Sequence, residues 1–186
     1  MLPPIIAVSA PSRRSGKSTL SQVLMGEYGY TKFSFAEPLK IMFIALCMSA
    51  GVDKMLYPRI LDGDLKETPL AEVGGLSLRM FAEGVGTVWG RDHVDSDLWV
   101  NMARPKIQKL LDSGKRVVVD DARFLNEVML AYTLGGVAVE VRRPGAPAPT
   151  LASEGHLDGF QFTKVFQNDS SVGTLEDRVR EWMGGR

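Results

Sequence analysis

The chain has a single cysteine, Cys47, in 186 residues, so no intrachain disulfide framework can support it. Cys47 lies in an apolar stretch, IMFIALCMSA at 41–50, where a thiol is expected to pack as a small hydrophobe rather than react. No apolar run reaches the roughly 20 residues that a membrane-spanning helix needs. The first residues carry neither a basic cluster nor a long apolar core, so no secretory leader is expected and a cytoplasmic location follows. Excess charge is lacking too. The 22 basic residues match the 22 acidic ones, for a formal net charge of zero. Neither a nucleic-acid nor a membrane partner is expected, and any attraction for anions must be local. Of the two histidines, neither His93 nor His156 has metal-ligand spacing with cysteine or carboxylates. There is no internal repeat and no heptad pattern. What remains is a length that suits one domain, long enough to bury roughly 70% of its unfolded surface.

Strand-like apolar runs do recur, at Ile5–Ser9, Lys32–Phe35, Arg116–Asp120, Val137–Val141 and, more weakly, Thr163–Gln167. Helical patterns fall between and after them, at about 17–27, 37–50, 77–90, 96–113, 124–134 and 174–183. Alternation of this kind predicts an α/β fold with a parallel sheet covered on both faces. The site is then expected at the C-terminal edge of the strands. Two stretches read as loop-rich: 57–75, and 143–159 with Pro144, Pro147 and Pro149. The second is a candidate lid.

The strongest local signal is IIAVSAPSRRSGKSTL at 5–20. A short strand, a basic loop and then Gly16-Lys17-Ser18-Thr19 at a helix start resemble the P-loop. Backbone N–H groups of such a loop and of the helix N-terminus bind phosphate oxygens. Arg13, Arg14, Ser15, Gly16, Lys17, Ser18 and Thr19 are therefore the expected nucleotide-phosphate contacts. Lys17 would reach the β- and γ-phosphates and the Ser18 hydroxyl would ligand Mg²⁺. One departure stands out: Pro11 occupies the position of the motif's first glycine.

Further along, Arg116-Val-Val-Val-Asp120-Asp121-Ala-Arg123 places two carboxylates at the end of a buried strand. This resembles a Walker B arrangement, with Asp120 or Asp121 near the metal; one of them could equally cap the next helix. Arg123 could clamp a substrate phosphate. Phe35, Glu37 and Lys40 lie where the second strand passes into a helix that begins at Pro38, and they are candidate substrate contacts. Arg79 and Arg91 flank a glycine-spaced segment that could aim both at a bound anion. Trp99 is a candidate for base stacking. Arg142 and Arg143 end the fourth strand at the base of the lid.

These landmarks together resemble one family, the phage-type deoxynucleoside monophosphate kinases. The resemblance rests on SGKST, FAEPLK, the GT-x-x-GRD segment (Gly86, Thr87, Gly90, Arg91, Asp92) with Trp99 following, and DARFLNE. It continues through Gly135-Gly136-Val137, VRRP, Ser153-Glu154 and Asn168-Asp169, across nearly the whole chain. It implies a P-loop NTPase three-layer sandwich, with a five-stranded parallel sheet, helices on both faces and a lid. It also implies a single domain over 1–186, a substrate region at about 36–100 and a lid at about 143–159. The implied activity is transfer of the ATP γ-phosphoryl group to a deoxynucleoside 5′-monophosphate with Mg²⁺, in the host cytoplasm if the gene is a phage gene.

In the role assignment that follows, Lys17, Arg79, Arg91, Arg123 and Arg142 act on the phosphates, and Arg143 joins the ATP contacts. Ser153 and Glu154 join the acceptor contacts, and Ser18 with Asp121, or Asp120 as the alternative, holds the metal. A small-molecule nucleotide is the expected partner, and a homodimer through the apolar helix at 41–50 is one expectation for assembly. Two rival readings remain: a P-loop kinase of another acceptor (a dephospho-coenzyme or a modified-base nucleotide) and a non-catalytic nucleotide binder. A GTPase switch is disfavoured, since the chain has no Asn-Lys-x-Asp and no Asp-x-x-Gly.

Overall fold

The apolar runs form five short strands, and the amphipathic stretches between them form helices. In chain order these are β1 (Ile5–Ser9), α1 (Lys17–Tyr28), β2 (Tyr30–Phe33), α2 (Glu37–Ser49), α3 (Tyr57–Asp62), α4 (Leu78–Glu83) and α5 (Leu98–Asp112). They continue as β3 (Arg116–Val119), α6 (Leu125–Thr133), β4 (Val137–Arg142), β5 (Lys164–Gln167) and α7 (Val172–Gly184). A wide helix over Gly84–Val94 follows α4, and single 3₁₀ turns occur at Lys54–Leu56 and Ala71–Val73. This computed structural model describes residues 1–12, 14–146 and 155–185. The expected contacts Arg13, Ser153 and Glu154 lie outside the described residues, as does the middle of the stretch expected to be a lid.

The chain divides into two compact units, Met1–Phe35 with Trp99–Arg186, and Ala36–Leu98. The first holds the sheet, in the order β2-β3-β1-β4-β5 with every pair parallel. On one face Ile6, Val8, Val118, Val139 and Val141 pack with Leu20, Val23 and Leu24 of α1 and Leu175, Val179 and Met183 of α7. Their sequence neighbours Ile5, Ala7, Val117, Val119 and Ala138 point the other way and are equally buried. There α6 covers β1 and β4. Burial on both faces explains why these strands are continuous apolar runs rather than alternating ones. The result is the expected α/β three-layer sandwich. β1 lies between β3 and β4: the β1-to-β2 crossover runs to one side of it and the β3-to-β4 crossover passes to the other, so the crevice at its C-terminal end is the natural ligand position.

The second unit has its own small core, formed by Phe43 and Cys47 of α2, Val52, Ile60 of α3, Leu70, Val73, and Leu78 of α4. Part of the stretch read as loop-rich is α3, which Pro58 starts in its first turn and which Ile60 anchors. The helix expected over 77–90 also differs. It is α-helical only to Glu83 and then widens, with the Asp95 N–H donating to the Gly90 carbonyl five residues back at 3.0 Å. Gly84, Gly86 and Gly90 weaken the tighter ladder and permit the wider ring. β2 lies two residues before its expected position for a visible reason. The Phe35 N–H, which could have extended the ladder, is taken by the Asp121 carboxylate at 3.1 Å. Among the described residues no helix is long and apolar enough to cross a membrane.

Candidate functional site

The loop between β1 and α1 is shaped by its own serines and by residues far along the chain. Ser12 and Ser15 are buried, and the Ser15 hydroxyl donates to the Ser12 carbonyl at 2.8 Å. Among the described residues the left-handed positions of the loop are Arg14, with φ 58°, and Gly16, with φ 108°. Position 11 has no positive φ, so Pro11 stands where no glycine is required. Gly16 is needed on two counts: its φ, and crowding that would put a Cβ 2.7 Å from Asn168 Nδ2 and 2.8 Å from Leu175 Cδ2. The Ser15 carbonyl accepts from Asn168 Nδ2 at 2.9 Å, and the Arg14 carbonyl accepts from Arg143 Nη1 at 3.3 Å. α1 then begins at Lys17 with no side-chain cap and no carboxylate in its first turn. Its positive end suits an anion. Ser18 is exposed and Thr19 half-buried in that first turn.

Beside the loop lies a pocket that Lys17, Arg123, Glu140, Ser9 and Ser12 line, with Leu157 and Asp158 from the segment after the undescribed residues. Arg123 is held by its neighbour. The Glu127 carboxylate is buried and accepts from the Arg123 and Phe124 N–H groups at 2.7 and 3.2 Å, fixing the turn into α6. The Phe124 ring in turn stacks on His156 at 4.6 Å.

Glu140 is a buried carboxylate in register with Ser9 of β1, and it accepts from Arg142 Nε. Charges are seldom buried without a partner, and here the partner is the half-exposed Arg142 guanidinium. Sequence reasoning assigns no role to Glu127, Glu140 or Asn168. An isolated acidic residue in a strand of valines was the available signal for Glu140.

The two aspartates after β3 take different partners. Asp120 pairs through Oδ2 with Lys32 Nζ at 2.7 Å. Asp121 accepts from the Ser34 hydroxyl at 2.6 Å and from the Phe35 N–H, tying the end of β3 to the end of β2. Mg²⁺ takes hard oxygen donors, often only one or two carboxylates besides water and substrate phosphates. The Ser18 hydroxyl and the Asp120 carboxylate fit that chemistry. Asp121 fits it less well, since both its oxygens already accept hydrogen bonds. Among the described residues no group of three or more His, Cys, Asp or Glu side chains could hold a metal unaided.

The remaining expected contacts belong mostly to the second unit. Arg79 pairs with Glu67 at 3.2 Å, and Lys40 with Asp62 at 2.6 Å. Arg91 is buried at the end of the wide helix and donates to the Ser96 carbonyl at 2.8 Å. Glu37 is exposed in the first turn of α2. In the first unit Phe35 is buried edge-on to Phe33, and Trp99 is buried near the start of α5. The structure thus gathers Lys17, Arg123, Glu140, Ser9 and Ser12 around one pocket, while Arg79, Arg91 and Lys40 are seated by partners within their own unit.

No family model matches the sequence. A protein of Acanthamoeba polyphaga mimivirus named "Putative deoxynucleotide monophosphate kinase" is 30% identical over 169 residues, covering 85% of each chain. An uncharacterized protein, ORF77, of Ictalurid herpesvirus 1 (strain Auburn) is 31% identical over 110 residues, covering 56% of this chain and 47% of that one. Two solved structures are similar across nearly the whole chain. The dephospho-CoA kinase from Campylobacter jejuni has a TM-score of 0.43 at 15% identity, covering 98% of this chain and 96% of its own. TT1252 from Thermus thermophilus has a TM-score of 0.45 at 17% identity, covering 100% and 98%.

Proposed function

The chain belongs to the deoxynucleotide monophosphate kinase family, and from that premise we propose that it transfers the γ-phosphoryl group of ATP to a deoxynucleoside 5′-monophosphate. The observation that carries this reading is the pocket in which Lys17 and Arg123 meet beside the uncapped end of α1. Phosphoryl transfer asks the protein chiefly to position two phosphates and neutralise charge. The loop amides and Lys17 would hold the ATP phosphates. Arg123, its backbone fixed by Glu127, would hold the acceptor phosphate. Arg142, held at Nε by Glu140, would present its terminal nitrogens to the migrating group. The acceptor is already an anion at neutral pH, so no general base is required. Mg²⁺, when bound through Ser18 and Asp120, would supply charge neutralisation at the phosphates.

The test is ADP release with ATP and Mg²⁺ against the four deoxynucleoside monophosphates, their ribose counterparts and modified-base analogues. Turnover on at least one deoxynucleotide is expected. Lys17→Ala should lower kcat by about 10²–10³, the scale of losing one electrostatic contact to the reacting phosphates. Turnover only on some other acceptor would move the enzyme to a different substrate, and ATP binding without any turnover would make it a binder.

A further inference from the structure

The loop that would hold the ATP phosphates is not self-supporting. Asn168 follows β5, and its backbone N–H donates to the Arg142 carbonyl at 2.7 Å, which anchors it to the end of β4. From there its side-chain Nδ2 donates to the Ser15 carbonyl at 2.9 Å. A trans peptide unit is planar, with its C=O and N–H pointing in opposite directions. Capture of the Ser15 carbonyl therefore turns the Gly16 N–H to the side of the loop away from Asn168. Arg143, which bonds the Arg14 carbonyl, fixes the peptide unit that carries the Ser15 N–H. Asn168 and Leu175 crowd the back of Gly16, and neither lines the pocket that Lys17 and Arg123 share.

We propose that Asn168 is a positioning residue for nucleotide binding: by holding the Ser15 carbonyl from behind, it aims the Gly16 N–H at the phosphate chain. In this role Asn168 acts through the loop and not on the substrate itself. It replaces, from the far end of the sheet, part of the shaping that a glycine-rich loop performs by its own backbone preferences. The inference rests on the reading of residues 10–19 as the ATP phosphate site, but not on the identity of the acceptor.

The experiment is calorimetric binding of ATP and of inorganic tripolyphosphate to the full chain, with melting temperature and steady-state kinetics alongside. Asn168→Ala should weaken ATP and tripolyphosphate by the same factor, about tenfold, the scale of one hydrogen bond lost with its dependent geometry. KM for ATP should rise to match, and KM for the acceptor should stay within about twofold. Asn168→Asp keeps the volume and the backbone bond to Arg142, but it sets a carboxylate against the Ser15 carbonyl. It should therefore bind both ligands more weakly than the alanine variant.

Unchanged tripolyphosphate affinity in either folded variant would overturn the proposal, as would a loss confined to the acceptor. Unfolding of both variants would assign Asn168 to stability and overturn it as well. Wild-type protein that binds ATP and tripolyphosphate but phosphorylates no deoxynucleotide would remove the substrate assignment alone and leave the Asn168 comparison intact. A wild type that binds neither ligand would remove both.

Discussion

Gly16 shows how much one residue can carry. Its φ of 108° is strained for any L side chain, and a Cβ would meet Asn168 and Leu175 well inside contact distance. Gly16→Ala is therefore expected to weaken ATP binding by at least about tenfold. It should also destabilise the fold by about 1–3 kcal/mol, measurable by denaturant titration. An alanine variant that binds ATP like wild type would show that the loop adapts freely. Gly16 and Lys17 are legible in the sequence because the motif that carries them is contiguous. Glu127 is half-legible: it sits four residues from Arg123, whose N–H it accepts. Asn168 is not legible as a loop residue, since 153 positions separate it from Ser15 and no local pattern spans that distance. Glu140 hides for another reason. Its partner Arg142 is two residues away, but its burial depends on β1 and β4 lying side by side.

At the scale of elements, α1 and α7 pack on the same face of the sheet and share the core around Leu20, Leu24, Leu175 and Val179. Among the described residues, one buried side-chain group in this layer has no hydrogen-bond partner, the hydroxyl of Ser21 in α1. Ser21→Ala removes that orphan and improves helix propensity, so it should stabilise the protein by about 1 kcal/mol, visible as a raised denaturation midpoint. A lowered midpoint would mean that the hydroxyl is satisfied after all.

The outer rim of the same pair holds the Arg180 contacts with Glu27, Glu176 and Asp177. The Arg180 guanidinium holds the Glu27 carboxyl below its ordinary value of 4.5. A carboxyl depressed on folding contributes stability above its unfolded value and loses it as the pH falls through the folded one. Glu27→Gln should thus lower the melting temperature slightly at pH 7 and make no difference at pH 2, the exposed pair being weak. An equal loss at both pH values would exclude the charge as the cause. Most elements could be located from apolar periodicity alone. The wide helix at Gly84–Val94 could not, because its glycines signal a weakened helix without saying that it continues in another register.

At the scale of the whole molecule, the sheet layer and the 36–98 unit each have a separate core. Cys47 is wholly buried in the smaller one, and burial, with the nearby Glu72 charge, pushes its thiol up. A thiol reagent should reach it only through opening of that unit. Labelling is expected to begin at lower denaturant than the loss of far-ultraviolet dichroism, because a core of so few residues is marginal by itself. Labelling that follows the global transition at every denaturant concentration would show the two units to unfold as one.

The strand order has a final consequence that belongs to time rather than space. β1 comes early in the chain, but its two neighbours, β3 and β4, are made more than a hundred residues later, and Asn168 later still. On the ribosome the Gly-Lys-Ser segment therefore emerges long before anything can give it shape. Between β1 and β4 the nascent chain carries that segment without both of the strands that flank it, and the Asn168 contact with Ser15 can form only once β5 has been made.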